Sequence, residues 1–344
     1  MSGGRVAAIA GALPERWMTQ EAIWDERYRH HYGDDPAARR IWLRCGVERR
    51  HGVLDPIEEG VAAWDTGRRM TRFIEEAVPL GRRALTAALA RAEVEPSDVD
   101  LLAVVSCTGY ATPGLDILLA RELGLRDDVQ RLHVGHMGCY AAIPTLATVS
   151  DAAAARGKTA AMLCLELPTL HIQPAERSLE QIIAHALFAD GAAAAVVRPN
   201  GAGLELVDVD ARTDPSTASL MTWDVTERGF RMGLSPEVPE AVRGHVAPLV
   251  DSLLARNGLS RDDVAAWAIH PGGPAIVDAV GEVLGLDDDA LEPSRATLRE
   301  CGNCSSATIL LVLERLLEED AGAPLVALAF GPGLTLYGCL LGAR

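Results

Sequence analysis

Short apolar runs alternate with amphipathic stretches through most of the chain. RLHV (131–134), TAAMLCLEL from Thr159, AAAAVV (192–197), VAAWAIH (264–270) and PLVALAFGP from Pro324 predict largely buried strands. The stretches between them predict covering helices. This alternation is that of an α/β protein.

The pattern also repeats. ARAEVEPSDVDLLAVVS, starting at Ala90, and ARNGLSRDDVAAWAIHP, starting at Ala255, both read helix end, polar turn, Asp-Val and buried strand. The strand at Thr159 falls on the one at Pro324, and the turn and helix at Cys139 fall on those at Cys304, at the same 165-residue offset. Similar strand–helix spacing arises in any α/β protein, but three matches at one offset favour duplication. The expected halves are 1–200 and 201–344, packed as one body, with an insertion around Gln173–His185 in the first.

Composition narrows the function. Residues AVILMFWYC make up 49% and aromatics 4%, so a real core is expected, built of Ala, Val, Leu and Ile. A net charge of −16 disfavours nucleic acid and anionic membrane as partners, because the overall field repels phosphate. No run of 18 uncharged apolar residues predicts membrane insertion. The N-terminal apolar stretch is too short for a signal peptide. Seven irregularly spaced cysteines make no disulfide framework, so a reduced, cytoplasmic protein is expected.

Reactive side chains gather at three strand-to-helix turns, where ligands collect in α/β folds. Cys139 follows RLHV and Gly135-His136-Met137-Gly138 and opens a helix of small apolar residues. A thiol at a helix N-terminus is biased toward thiolate; an inert buried cysteine would look the same locally. His270 ends a buried strand before Pro271-Gly272-Gly273-Pro274, placed as a base, an oxyanion donor or a satisfied structural residue. Asn303, before the helix ATILLVLERLL, can donate to an oxyanion without titrating or can simply cap that helix. Cys301-x-x-Cys304 has the local form of a dithiol motif, but SRATLRE before it does not read as the strand that a redox fold needs. No cysteine or histidine pair completes a zinc site, and no Gly-x-Gly-x-x-Gly or phosphate loop appears. His30, His31 and His51 fall in charged, exposed-looking sequence.

Taken together, SCTGYATPGLD (106–116), GHMGCYAA (135–142), ALFADGAAAAVV (186–197), WDVTERGFRM (223–232), AIHPGGP (268–274), GNCSSA (302–307) and AFGPGL (329–334) resemble the type III polyketide synthases, the chalcone- and stilbene-synthase-like branch of the thiolase superfamily. AIHPGGP with AFGPG sets this branch apart from ketoacyl synthase III enzymes, which share a Cys-His-Asn set. The resemblance implies a thiolase-like duplicated αβαβα five-layer fold and a homodimer. It implies an acyltransferase that needs no cofactor beyond CoA thioester substrates, an acyl-CoA starter and malonyl-CoA.

Carried over, Cys139 matches the nucleophile, and His270 and Asn303 the other catalytic positions. Phe188 matches the gatekeeper aromatic, and Met232 stands where plant members carry a second gating phenylalanine. Ser305, Gly331, Pro332 and Gly333 fall at pocket positions, and Arg40 and Arg44 near those that hold CoA phosphates. Relative to plant members, Trp223 replaces a small residue, His171 and Cys107 replace threonines, and Thr112 replaces a methionine that lines the partner's cavity. WDV before a Gly-Phe pair resembles bacterial members that make alkylpyrones or alkylresorcinols. The implied chemistry is iterative decarboxylative condensation through an acyl-cysteine, then pyrone- or resorcinol-type closure. A single condensation or acyl transfer, and an inactive thiolase-fold scaffold, stand as alternatives.

Overall fold

A computed structural model describes residues 3–173 and 177–342. The strands are β1 (Arg5–Ala12), β2 (Trp17–Thr19), β3 (Arg49–His51), β4 (Leu101–Ser106), β5 (Gln130–Gly135), β6 (Ala160–Glu166), β7 (Gly191–Arg198), β8 (Leu204–Thr213), β9 (Met221–Thr226), β10 (Gly229–Leu234), β11 (Ala266–Ile269), β12 (Leu325–Gly331) and β13 (Thr335–Gly342). The α-helices are α1 (Gln20–Ile23), α2 (Arg29–His31), α3 (Pro36–Arg44), α4 (Thr66–Arg91), α5 (Leu115–Leu123), α6 (Ala142–Arg156), α7 (Leu179–Leu187), α8 (Val238–Arg256), α9 (Pro274–Leu284), α10 (Asp288–Cys301) and α11 (Ser306–Glu318). Residues 174–176 of the expected insertion lie outside the described residues; its remainder forms the start and body of α7.

The main sheet runs β11-β12-β13-β8-β1-β7-β6-β4-β5. It is two half-sheets that meet at β1 and β8 through two residue pairs, Arg5↔Glu205 and Val6↔Leu204. Each half contains a run of one parallel and then two antiparallel pairings, β4, β6, β7, β1 on one side and β11, β12, β13, β8 on the other, and β5 adds a second parallel pairing to β4. The 165-residue offset holds for two of the strand pairs, Leu101 opening β4 with Ala266 opening β11, and Ala160 opening β6 with Leu325 opening β12.

Side-chain alternation turns these half-sheets into layers. Ala193, Ala195 and Val197 of β7 join α6 and α11 in one core, together with Leu325, Ala327 and Ala329 of β12. The alternate residues face outward. Ala192, Ala194 and Val196 pack under α4 and α5, and Val326, Leu328 and Phe330 pack under α8 and α9. The order is therefore helices, half-sheet, α6 with α11, half-sheet, helices, which is the expected five-layer thiolase-like arrangement.

The central helices are apolar all round because sheet covers them on both sides. Truncating Leu146, 1% exposed on α6, should cost about 2–5 kcal/mol. The few aromatics are concentrated: Trp24, Tyr28, Tyr32 and Trp42 stack on one another beside α7.

One local expectation is corrected. Cys139 does not open the helix; α6 starts at Ala142, and Cys139 sits in the turn before it, where Ala141 N donates to Gly138 O at 3.1 Å. Pro144 is accommodated in the first turn of α6, where its missing N–H is no loss.

Candidate active site

Gly138, at φ +80°, lets the chain leave β5 sharply toward Cys139. A Cβ on Gly138 would meet Pro332 Cδ at 2.5 Å, and one on Gly331 would meet Tyr140 Cδ1 at 2.7 Å. The Gly331–Gly333 turn thus packs directly against the Cys139 elbow. The glycines serve backbone contact: Pro332 lines the cavity at the thiol, whereas Gly331 and Gly333 do not.

Cys139 Sγ lies 3.5 Å from Ser305 Oγ. Ser305 holds an unusual φ of +49°, fixed by its own N–H, which donates to Asn303 Oδ1 at 2.8 Å. Asn303 Oδ1 also accepts from Thr308 Oγ1 at 3.4 Å. With its oxygen committed to the start of α11, the amide presents Nδ2, which lies 3.5 Å from Gly272 O. Gly272 N donates to His270 O at 2.9 Å, and His270 N to Leu328 O at 2.8 Å, holding the histidine at the end of β11. A continuous chain of contacts therefore links Cys139, Ser305, Asn303 and His270. Asn303 is not the N-cap of α11, a place taken by Ser305; its Oδ1 instead braces the Ser305 turn, and its Nδ2 faces Gly272 O.

His270 is 1% exposed, and both ring nitrogens are buried without a hydrogen-bond partner. Burial pushes its pKa down to about 3, so the ring is neutral at pH 7. Burial likewise pushes the Cys139 thiol up to about 12, with the Ser305 hydroxyl pulling the other way. The expected bias toward thiolate at a helix start is overridden, since desolvation outweighs the turn's partial charge. The resting pair is thiol and neutral imidazole.

The cavity at Cys139 has a volume of about 120 Å³ and mostly apolar walls. Of the positions singled out in the sequence, Cys107, Cys139, His171, Phe188, Trp223, Met232, Ser305 and Pro332 line it. His270, Asn303, Thr112, Arg40 and Arg44 do not. Trp223 and His171 are pinned. Trp223 Nε1 donates to Cys107 O at 2.6 Å, while His171 bonds Thr108 O at 2.7 Å and accepts from Phe230 N at 3.0 Å. With both nitrogens engaged and its pKa pushed down to about 3 by burial, His171 is a neutral wall, stacked on Phe230. The same cavity is lined by Thr169, Ile172, Ala184, Tyr28, Leu54 and the exposed Trp17.

Arg40 and Arg44 stand exposed on α3, away from this cavity. His31 and His51 are half-buried, not exposed as their charged surroundings suggested, and His51 lines the cavity. Cys304 is fully buried, and Cys301 ends α10, so a helix precedes the Cys-x-x-Cys pair.

Glu166 was missed. It closes β6, is fully buried, and accepts from Cys107 N at 3.0 Å, Thr108 Oγ1 at 2.7 Å, Ser306 Oγ at 2.6 Å and Cys107 Sγ at 3.3 Å. Burial raises its pKa while these donors lower it. The signal for it was one carboxylate closing an otherwise apolar strand. The charged stretch containing Arg50 gave no comparable signal, yet Arg50 is buried and lines the cavity.

The chalcone and stilbene synthase N-terminal domain family matches residues 3–201, and the C-terminal domain family of the same synthases matches residues 205–343. The chain is 36% identical over 344 residues to a 1,3,6,8-tetrahydroxynaphthalene synthase of Streptomyces peucetius subsp. caesius, covering 96% of this chain and 91% of the relative. It is 32% identical over 332 residues to the alpha-pyrone synthesis polyketide synthase-like Pks18 of Mycobacterium tuberculosis, covering 89% and 83%. Among solved structures it is similar to PKS-I from the brown alga Ectocarpus siliculosus, with a TM-score of 0.94, 30% identity, and 100% and 99% of the two chains covered.

Proposed function

Because the chain belongs to the chalcone and stilbene synthase family and is a type III polyketide synthase, we propose that Cys139, His270 and Asn303 carry its condensation chemistry. The observation that supports this reading is His270: a buried imidazole with two unpaired nitrogens, whose backbone is joined through Gly272 to Asn303, which in turn holds Ser305 beside the buried Cys139 thiol.

Neutral His270 takes the Cys139 proton as the sulfur attacks the starter thioester. The C–S bond to CoA breaks, and the leaving thiolate receives that proton. Malonyl-CoA then loses CO₂. The electron pair of the broken C–C bond moves to the α-carbon, and the enolate oxygen accepts from Asn303 Nδ2 and the N–H of neutral His270. The carbanion attacks the acyl-cysteine carbonyl, the cysteine thiolate leaves and takes up a proton from solvent, and the longer chain remains on CoA for another round. Phe188 gates the passage, and Cys107, His171, Trp223, Met232, Ser305 and Pro332 shape the growing chain. Arg40 and Arg44 hold CoA phosphates. We read residues 1–200 as the half that supplies the nucleophile and 201–344 as the half that supplies His270 and Asn303.

We further propose a homodimer built on β5. Its outer edge has no strand partner among the described residues, and Tyr110 (65% exposed) and Ile117 (42%) are among the exposed large apolar side chains. Thr112, which does not line its own cavity, then serves the partner's. Seven unpaired cysteines suit the reducing cytoplasm. The described helices include none long and apolar enough to cross a membrane.

Mass spectrometry of products from malonyl-CoA with a panel of acyl-CoA starters tests the function. Pyrone or resorcinol products of several condensations support it. Products of one condensation would favour the second reading, which the pinned Trp223 and His171 walls support.

A further inference from the structure

Two guanidinium groups lie inside the protein, and neither has an ion pair among the described residues. Arg69, 0% exposed, donates to Trp64 O at 3.1 Å, Val61 O at 2.8 Å, Ile172 O at 3.3 Å and Leu170 O. It grips the turn that carries His171. Arg50, 8% exposed, donates through Nη1 to His185 O at 2.5 Å and Phe188 O at 2.8 Å, while its Nε is buried without a partner. Its guanidinium stands over Trp42, 5.0 Å from the ring centre.

A buried cation with no carboxylate in ion-pair contact is a costly arrangement, and at Arg50 the buried Asp190 favours the charge only from beyond that contact. What offsets it at Arg50 is the end of α7, where unpaired carbonyls carry the negative end of the helix dipole. Every carbonyl there is taken from outside the helix. Gln20 Nε2 donates to Ala186 O at 2.8 Å, Asn303 N to Leu187 O at 2.9 Å, and Arg50 to the carbonyls on either side. Ala189 N then donates back to Asn303 O at 3.0 Å, so Phe188 and Asn303 form one bridge.

We propose that Arg50 is a positioning residue for decarboxylation: it fixes the Leu187–Ala189 segment against which Asn303 is registered, so that the Asn303 amide keeps its place when malonyl thioester enters. The proposal rests on the reading of Asn303 as oxyanion donor given above. Arg69 grips the opposite wall and touches neither Phe188 nor Asn303, which makes it the control.

The test follows the two half-reactions separately, acyl-enzyme mass for loading of Cys139 and labelled CO₂ for decarboxylation, in Arg50→Met, Arg50→Lys and Arg69→Lys. A displacement of about 1 Å costs on the order of 10²-fold in rate, so Arg50→Met should lose decarboxylation by about that factor relative to loading. Arg50→Lys, which keeps the charge but not the fork, should fall between it and wild type. Arg69→Lys should keep the wild-type ratio. A role in stability alone would lower both half-reactions together with the folded fraction. An unchanged ratio in either Arg50 variant overturns the proposal, as does failure of Arg50→Lys to fold. Asn303→Ala in the same assay separates the two claims. If it decarboxylates at the wild-type rate, the reading of the site fails; if it is slow while the Arg50 variants keep the ratio, only the positioning role fails.

Discussion

Cys139 and Cys304 stand 165 residues apart at matching turns of the two halves, each just ahead of a helix of the central layer. Their settings differ. Cys139 is reached from a strand, β5, and opens onto a cavity with the Ser305 hydroxyl beside it. Cys304 is reached from a helix, α10, and is sealed: its thiol donates to Cys301 O at 3.7 Å, and a Cβ on Gly191 would meet its sulfur at 2.8 Å. The same divergence marks the strand ends. Glu166 closes β6 with a buried carboxylate, while Gly331, at the equivalent place on β12, closes its strand with no side chain so that the loop can lie on the Cys139 elbow. The two halves share a frame, and of these two thiols only Cys139 lines the cavity.

The sharpest way to break this comparison is to remove each thiol. Cys139→Ala should abolish acyl loading and product with the fold intact. Cys304→Ala should keep activity and lose about 1 kcal/mol of stability, the order of one small buried group. Intact-protein mass after incubation with an acyl-CoA reads the first, and urea unfolding the second. Label on Cys304, or an active Cys139→Ala enzyme, would exchange the roles of the halves.

Asn303 tests what the second half contributes. Removing one oxyanion donor usually costs about 10²–10³ in kcat, so Asn303→Ala should slow decarboxylation by that order and still load Cys139. If its only task were holding Ser305 and Thr308, the loss would appear as about 1 kcal/mol of stability, with both half-reactions nearly intact. Labelled CO₂ release at saturating malonyl-CoA decides between them.

A smaller effect separates His270 from the buried histidines of the first half. His171, His185 and His270 are all held near pKa 3 by burial. Folded values below the unfolded one mean that the unfolded chain binds the extra proton first, so their contribution to stability is present above about 6.5 and is lost as pH falls toward 3. Asp190, raised to about 6, acts in the opposite sense over part of that range. The clean measurement is therefore a difference. His270→Gln should lose stability less steeply than wild type between pH 6.5 and 4, by up to about 1.4 kcal/mol per pH unit. Equal slopes in urea titrations would mean that His270 is protonated in the folded protein.

Much of this was legible in the sequence where period and chemistry coincide. The apolar runs and the 165-residue offset gave the α/β class and the repeat, because buried strands must be apolar and a duplicated fold repeats its spacing; the five layers followed from the family resemblance. Cys139, His270 and Asn303 stood at turns where any α/β fold exposes side chains to ligand. The start of α6 was read three residues early, since a turn of Gly138, Cys139 and Tyr140 has no sequence mark separating it from a first helical turn. Glu166 and Arg50 were not legible as buried. Their settings depend on groups far along the chain, Ser306 for one and the end of α7 for the other, and local sequence cannot report such partners.

The smallest predicted effect concerns the exposed face of α3. Arg40 and Arg44 lie on α3, whose end packs toward the second half: a Cβ on Gly46 would meet Leu298 Cδ2 at 3.2 Å and Pro274 Cγ at 3.6 Å. Both are exposed, and neither takes part in an ion pair among the described residues, in a chain of net charge −16. Arg50 and Arg69 also lack an ion pair among the described residues, but they are buried and their bonds hold backbone. An exposed charge pair contributes about 0.2–1 kcal/mol, so each substitution to alanine should raise KM for CoA thioesters by roughly two- to fivefold and leave kcat alone. The dependence of KM on salt should also weaken, because screening acts only on charges that are there. A thioester of CoA lacking its 3′-phosphate sharpens the point. Wild type should bind it less well than the full substrate, and the Arg40→Ala, Arg44→Ala double variant should discriminate less. If the double variant keeps both the wild-type KM and the wild-type preference for the phosphate, α3 is a solvated basic face, and the cofactor portion of the substrate is held elsewhere along the seam between the halves.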